Sequence, residues 1–215
     1  IIQHVFERAS LARYLHKVII ATDDERIRDV ARSFGAPVRM TRADHLSGTD
    51  RVAEVAESET AGVVVNIQGD EPLLDPEAID SAVLALVNDP EVEMATLAKR
   101  IEDPAEVSDP NVVKVVTDRA GNAIYFSRSA IPYVREGRAA HYKHIGLYVY
   151  RRDFLLAYSA LPVGPLEQAE RLEQLRAIEN GHRIRVVETA YESFGVDTPR
   201  DLERVAVLFE PSLSK

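Results

Sequence analysis

The sequence predicts an α/β fold with a mostly parallel central sheet and a small antiparallel part. Short β-branched runs alternate with amphipathic helical segments through the first half, the pattern of a sheet whose strands are joined by helices. From Glu93 to Tyr150 the chain is instead mostly strand, punctuated by turn residues. A length of 215 residues with no internal repeat, low-complexity segment or linker fits one domain.

Ile2, Val5, Phe6 and Ala9 recur at helical spacing and predict a helix from Ile2 to Ala12. A chain that opens inside a helical pattern, with Ile1 in place of Met, predicts a segment ahead of it. Lys17 to Thr22 reads as a strand, and Asp23 or Asp24 can cap the next helix, with Ile27, Val30, Ala31 and Phe34 inward and Gly35 at its end. Pro37 to Met40 is extended. After the polar loop Thr41 to Arg51, Ser47 or Thr49 can cap a helix through Val52, Val55 and Ala56. Val63-Val64-Val65 begins a buried strand that Gly69 ends.

Asp75 as N-cap, Pro76 in the first turn and Ile79, Ala82, Val83 and Leu86 on one face predict the next helix. Strands follow at Glu93–Lys99, Val112–Thr117 and Asn122–Ser127, the last two joined by the turn Asp118-Arg119-Ala120-Gly121. Arg135 to Ala140 reads as a loop and Ile145 to Tyr150 as a strand. One helix is expected from Pro165 to Asn180, closed by Gly181, then a strand from Arg183 to Glu188. Thr198 and Pro199 start a last helix with Leu202, Val205 and Leu208 or Phe209 inward.

Composition narrows the function classes. A net charge of −9 leaves no cationic excess to replace the counterions of a nucleic acid. The absence of Cys excludes disulfides, thiolate chemistry and cysteine-based zinc sites. No apolar run has the length of a membrane span and no secretory signal is visible, so a soluble cytoplasmic protein without membrane insertion is expected.

Candidate chemistry centres on Asp70 and Glu71, at the carboxyl end of the Val63 strand, where ligands of open α/β sheets bind. A carboxylate there suits Mg2+, which takes one or two carboxylates plus phosphate oxygens; a solvated acidic turn has the same pattern. Asp197, one residue before the Thr198 cap, lies near the positive end of a helix dipole, although it can equally belong to the helix start alone. Arg42, Arg51 and the Ser47-Gly48-Thr49 turn supply cations and backbone donors suited to a nucleotide, in a loop type that is common. His144 and Tyr148 point to one side of a strand, as core residues also do. Glu173 and Gln174 flank an apolar helical stripe, the usual place for surface residues.

Taken together, Thr41-Arg42-Ala43-Asp44-His45 with Ser47-Gly48-Thr49, and Asn66-Ile67-Gln68-Gly69-Asp70-Glu71-Pro72, resemble the cytidylyltransferases that activate acidic sugars. Tyr125-Phe126-Ser127-Arg128 with Ile131-Pro132, His144 to Tyr148, Leu172 to Arg176 and Gly195 to Pro199 narrow the resemblance to the 3-deoxy-manno-octulosonate (Kdo) cytidylyltransferase family. It covers nearly the whole chain, in order.

The resemblance implies a Rossmann-like nucleotidyltransferase domain over 1–215, with an antiparallel dimerisation subdomain over 123–160 and a homodimeric assembly. It implies the reaction of CTP with Kdo to give CMP-Kdo and pyrophosphate, for lipopolysaccharide biosynthesis, with Mg2+ held by Asp70 and Asp197. Arg42, Ser47, Gly48 and Thr49 then fall on the CTP side. Gln68, Arg128, His144, Tyr148, Glu173 and Gln174 fall on the sugar-acid side, with Arg128 facing the Kdo carboxylate. The family's opening strand and its Gly-, Arg- and Lys-containing triphosphate loop precede Ile1, and a chain truly starting at Ile1 is expected to be inactive. The competing expectations are activation of another sugar acid, such as sialic acid, and a non-catalytic nucleotide- or sugar-acid-binding protein.

Overall fold

The computed structural model describes residues 1–209. The chain runs α1 (Ile2–Ala9), β1 (Ile20–Thr22), α2 (Glu25–Ser33), β2 (Val38–Met40), α3 (Gly48–Glu57), β3 (Val63–Asn66), α4 (Pro76–Val87) and β4 (Met94–Arg100). It continues through α5 (Pro104–Ser108), β5 (Lys114–Thr117), β6 (Ala123–Ser127), β7 (Tyr142–Arg151), α6 (Arg152–Tyr158), α7 (Pro165–Glu170), α8 (Leu175–Glu179), β8 (Ile184–Glu188) and α9 (Pro199–Phe209).

β1 and β2 pair in parallel, and the remaining strands form a second sheet. In it β3, β4, β5 and β8 run one way, so the strand directions are mostly parallel. Most ladders are nevertheless antiparallel, because the long strand β7 runs against its neighbours from the middle of the sheet. β4 follows β7 along one edge, from Met94 opposite Tyr150 to Arg100 opposite Tyr142. The other edge is shared: β3 takes Tyr148 to Arg151, and β5 takes Tyr142 and Lys143. The sheet therefore splits beside His144 to Leu147, where β3 ends and the chain turns away toward Asp70. The stretch 123–160 is divided by this arrangement: β6 and the start of β7 build the antiparallel edge, while the rest of β7 and α6 belong to the central layer.

Local chemistry explains several element ends. Asp24, Ser47 and Asp75 each accept a backbone N–H of the first helical turn, as N-caps do. Gly121 closes the β5–β6 turn at φ 83°, a conformation other residues adopt only with strain. On α4, Ile79, Ala82, Val83 and Leu86 are buried against β4 and β7; Ile79, Val83 and Leu86 each contribute about 2 kcal/mol by leaving water.

Three expectations are corrected. On α2 only Ala31 is buried, whereas Ile27 and Val30 are exposed, because the small two-stranded surface of β1 and β2 is already covered by Ala31 and Phe34 together with Ile2 and Phe6 of α1. On α9 only Val205 is buried; Leu202, Leu208 and Phe209 lie exposed. The expected helix 165–180 is two helices. α7 ends at Arg171, held in the left-handed region at φ 55°, ψ 46°. What stabilises the break is α8 folding back on the first turn of α7: the Glu179 carboxylate accepts the Leu166 and Glu167 N–H groups (2.8 and 3.0 Å), and Arg176 pairs with Glu167 through two bonds (2.9 and 2.6 Å). Gly164 permits that approach, since a Cβ there would lie 2.3 Å from the Glu179 carboxylate.

Lys114 is fully buried on β5 and, among the described residues, no carboxylate lies within bonding distance of its ammonium. It donates instead to the carbonyls of Asp109 (2.8 Å), Arg128 (2.7 Å) and Val112, tying the 109–112 turn to the end of β6. Burial holds its pKa below the ordinary lysine value. Lys114→Met keeps the length of the side chain but leaves three carbonyls unpaired, and the expected loss is about 3 kcal/mol in urea unfolding. An unchanged midpoint would show that these bonds contribute nothing net.

Candidate active site

Asp70 and Asp197 reach one place from two directions. Asp70 sits just past β3, where the sheet splits. Asp197 arrives on the segment between β8 and α9, which crosses back over the carboxyl ends of the strands. The Val196 N–H donates to the Asp70 carbonyl (3.0 Å), and a Cβ on Gly195 would lie 3.7 Å from the Asp70 carboxylate. The Asp70 carboxyl is pushed above the ordinary aspartate range by burial first, and further by the charge of Asp197. Next to it, the half-buried Glu71 accepts a hydrogen bond from Tyr191 Oη (3.0 Å) and is likewise raised by burial. Among the described residues no group of three or more His, Cys, Asp or Glu side chains forms a metal cage. Two carboxylates brought together here, with burial already opposing the charge on Asp70, fit a divalent cation that completes its shell with substrate phosphates.

A second group of polar side chains lies beside this pair. Ser47 Oγ accepts the Asp50 N–H (3.1 Å) and donates to Glu173 Oε1 (3.1 Å), and Thr49 Oγ1 donates to Glu173 Oε2 (3.2 Å). Asn66 Nδ2 donates to Thr49 Oγ1 (3.5 Å), and Gln68 Nε2 donates to Asn66 Oδ1 (3.4 Å). Gly48 packs on Gln68: an added Cβ would meet its amide at 3.6 Å. Tyr148 Oη donates to Gln174 Oε1 (3.2 Å), while Gln174 Nε2 is buried with no partner among the described residues. Ser47, Gly48 and Thr49, expected on the nucleotide side, thus touch Glu173 and Gln68 from the sugar-acid side.

Glu173 and Gln174 are not surface residues of a helix. The turn at Arg171 ends α7 and brings them inward, where Gln174 is 3% exposed and the Tyr158 hydroxyl donates to the Glu173 carbonyl (2.6 Å). Burial raises the pKa of Glu173.

His144 faces Tyr148 (ring centroids 5.4 Å) and the edge of Phe126 (5.0 Å). Thr96 Oγ1 lies 2.9 Å from His144 Nε2 and donates to the Leu147 carbonyl (2.8 Å), so it accepts the Nε2 proton of a neutral imidazole. Burial lowers the pKa of His144 to about 3. Arg42 stands apart, its guanidinium exposed and 3.6 Å from Glu54. Arg128 is tied to Glu170: its N–H donates to the carboxylate (2.9 Å), and its Nε to the Glu170 carbonyl (2.8 Å), while Nη1 donates to the Pro110 carbonyl (3.0 Å).

Sequence reading singled out Glu71 together with Asp70 but missed Tyr191 and Lys114. Lys114 carried a signal, a single cation with two valines on either side.

The cytidylyltransferase family profile matches residues 1–184. The 3-deoxy-manno-octulosonate cytidylyltransferase of Solibacter usitatus is 71% identical over 99% of this chain and 85% of its own length. The chain belongs to the 3-deoxy-manno-octulosonate cytidylyltransferase family. A second member, from Geobacter metallireducens, is 54% identical over 95% of the chain and 85% of its own length. A solved structure of CMP:2-keto-3-deoxy-manno-octonic acid synthetase complexed with CTP superposes with a TM-score of 0.93 at 45% identity, over 96% of this chain and 86% of that one. A cytidylyltransferase from Leptospira borgpetersenii, at 14% identity, shares the fold with a TM-score of 0.60 over 95% of this chain and 73% of that one. Among the described residues of this family member, no helix is long and apolar enough to cross a membrane.

The buried imidazole gives a pH prediction. A folded pKa near 3 against about 6.5 unfolded means that proton uptake favours the unfolded chain. The stabilisation from keeping His144 neutral is complete above the unfolded value and is lost as pH falls from there toward 3. Its share of the loss between pH 6.5 and 5 is about 1.5 kcal/mol. In NMR the carbon-bound ring protons of His144 should hold constant shifts down to pH 5, and a titration midpoint near 6.5 would contradict the buried neutral form.

Proposed function

We propose that this chain joins CTP to Kdo, releasing pyrophosphate and forming CMP-Kdo for lipopolysaccharide biosynthesis in the cytoplasm. The observation that carries the reading is the family membership at 71% identity, together with the two carboxylates that the fold delivers to one spot. In the reaction the anomeric hydroxyl of Kdo forms a bond to the α-phosphorus of CTP. The bond from that phosphorus to the bridging oxygen breaks, and pyrophosphate leaves with the electron pair while the hydroxyl gives up its proton.

Asp70 and Asp197 would hold Mg2+, which when bound would supply neutralisation of the negative charge on the phosphates. Both carboxylates would hold the reactants in line, Asp70 from a partly buried position and Asp197 from an exposed one. Arg42 and the Ser47–Thr49 turn lie on the CTP side. Gln68, His144, Tyr148, Glu173 and Gln174 orient the sugar hydroxyls. Arg128 meets the Kdo carboxylate with Nη2, which has no partner among the described residues. Neutral His144 serves as a fixed hydrogen-bonding group, since imidazole at this depth is not a cation near pH 7. The protein works as a homodimer joined through the antiparallel part; the exposed Ile124 on the outer strand β6 and the exposed Tyr133 support that face.

The test is pyrophosphate release from CTP, Mg2+ and a panel of sugar acids. Kdo should be the preferred acceptor over sialic acid. Asp70→Asn and Asp197→Asn should each lower kcat/KM by about 100-fold or more, the scale expected when several kcal/mol of metal-derived stabilisation are lost. Preference for sialic acid, or full activity in both variants, would overturn the assignment.

A further inference from the structure

The segment from Thr189 to Asp197 forms a strap, and only Tyr191 within it is buried. The strap also borders a cleft of about 440 Å³, lined by Lys143, Glu192, Ser193 and Gly195 among others. With so little apolar packing, its position depends on polar anchors. The Thr189 N–H donates to the Ala98 carbonyl (2.9 Å) at its start, and the Val196 N–H to the Asp70 carbonyl (3.0 Å) at its end. Between them Tyr191 bonds Glu71 (3.0 Å). Glu192 makes the remaining link to the sheet. One of its oxygens accepts from Lys99 of β4 (2.6 Å) and the other from Lys143 of β7 (2.5 Å). Lys143 is in turn held by Glu106 (2.8 and 3.0 Å), and both lysine side chains are less than one-fifth exposed.

We infer that Glu192, clamped between Lys99 and Lys143, is a positioning residue that sets where the strap presents Asp197 to Asp70. The inference rests on the reading of these two aspartates as a metal pair. Its physical basis is leverage: the clamp fixes the strap five residues before Asp197, on the two adjacent strands that form the centre of the sheet. Partly buried lysines hold a carboxylate more firmly than exposed ones, because they are screened less by solvent. Among the described residues, no other hydrogen bond of the strap joins it to two strands at once.

The experiment compares the unaltered protein with Glu192→Gln, which keeps the side-chain shape and removes the charge. Two quantities are read: the exchange of the Val196 amide relative to that of Thr189, and binding of Mn2+ alone followed by its paramagnetic signal. The expected result is Val196 exchange faster by about tenfold relative to Thr189, with Mn2+ affinity lowered by a comparable factor. Equal acceleration of both amides would show an ion pair that merely stabilises the fold, and it would overturn the inference; so would unchanged exchange. If Glu192→Gln fails to fold, Lys99→Met, which leaves the Lys143 half of the clamp, should give the same selective effect at smaller size, and its absence would overturn the inference. If the unaltered protein shows no Mn2+ binding sensitive to Asp70→Asn, the metal reading fails, and the exchange ratio alone then decides the positioning role.

Discussion

Asp70 and Asp197 repel each other, and the fold brings them together nonetheless. The charge of Asp197 adds to burial in raising the pKa of Asp70, so the arrangement disfavours the ionised state of that carboxyl. It is held by bonds that do not involve the carboxylates themselves: the Val196 N–H on the Asp70 carbonyl, and Tyr191 on Glu71. Backbone and neighbouring side chains fix the geometry, and the two carboxylates remain available. A cation bound between them, as proposed above, would relieve the repulsion, and a backbone that already holds the two residues together would lower the ordering cost of binding.

The split in the sheet creates the space for this pair. β7 is ten residues long, while β3 and β5 are four each, so two short strands share one of its edges. The bulge between Thr96 and Leu97, opposite Ile145 to Tyr148, bends β7 at the same height. Thr96 secures the bent region through the Leu147 carbonyl and His144, which turns an irregular ladder into a fixed wall. Because Asn66 ends β3 opposite Tyr148, the next residues leave the sheet there, carrying Gln68 and Asp70 into the opening.

Features set by neighbours in sequence were legible, and those set by distant contacts were not. Ser47 and Asp75 cap their helices as their types predict, and Gly121 takes the turn that only glycine adopts without strain. The helical stripe from Leu166 to Ile178 continues unbroken in the sequence, yet the chain turns at Arg171. The cause lies in Glu179, Arg176 and Gly164, whose contacts across the bend outweigh about 1–2 kcal/mol of left-handed strain. That same turn moved Glu173 and Gln174 from an expected surface to the interior. The two short helices α5 and α6 escaped notice because neither is long enough to show a period. Asp70 and Asp197 were each legible as carboxylates at element ends, but their meeting was visible only through the family resemblance.

The polar group around Glu173 has a consequence for selectivity. From Gln68 through Asn66 and Thr49 to Glu173, each side chain orients the next, and Tyr148 fixes the Gln174 carbonyl oxygen so that its amide nitrogen is left without a partner. Rotating any one of these groups breaks a bond in a partly buried setting, so the donors and acceptors stay in place before a ligand arrives. An apolar ligand would leave Gln174 Nε2 unpaired and gain nothing from the rest. A polyhydroxylated acid can satisfy it, and loss of a matching hydroxyl restores an unpaired buried donor, a penalty of about 1–3 kcal/mol. On the proposed reading of this group as the sugar-acid side, discrimination would rest on hydrogen bonds that a wrong ligand leaves unmade, which suits a choice among sugar acids of similar size and charge.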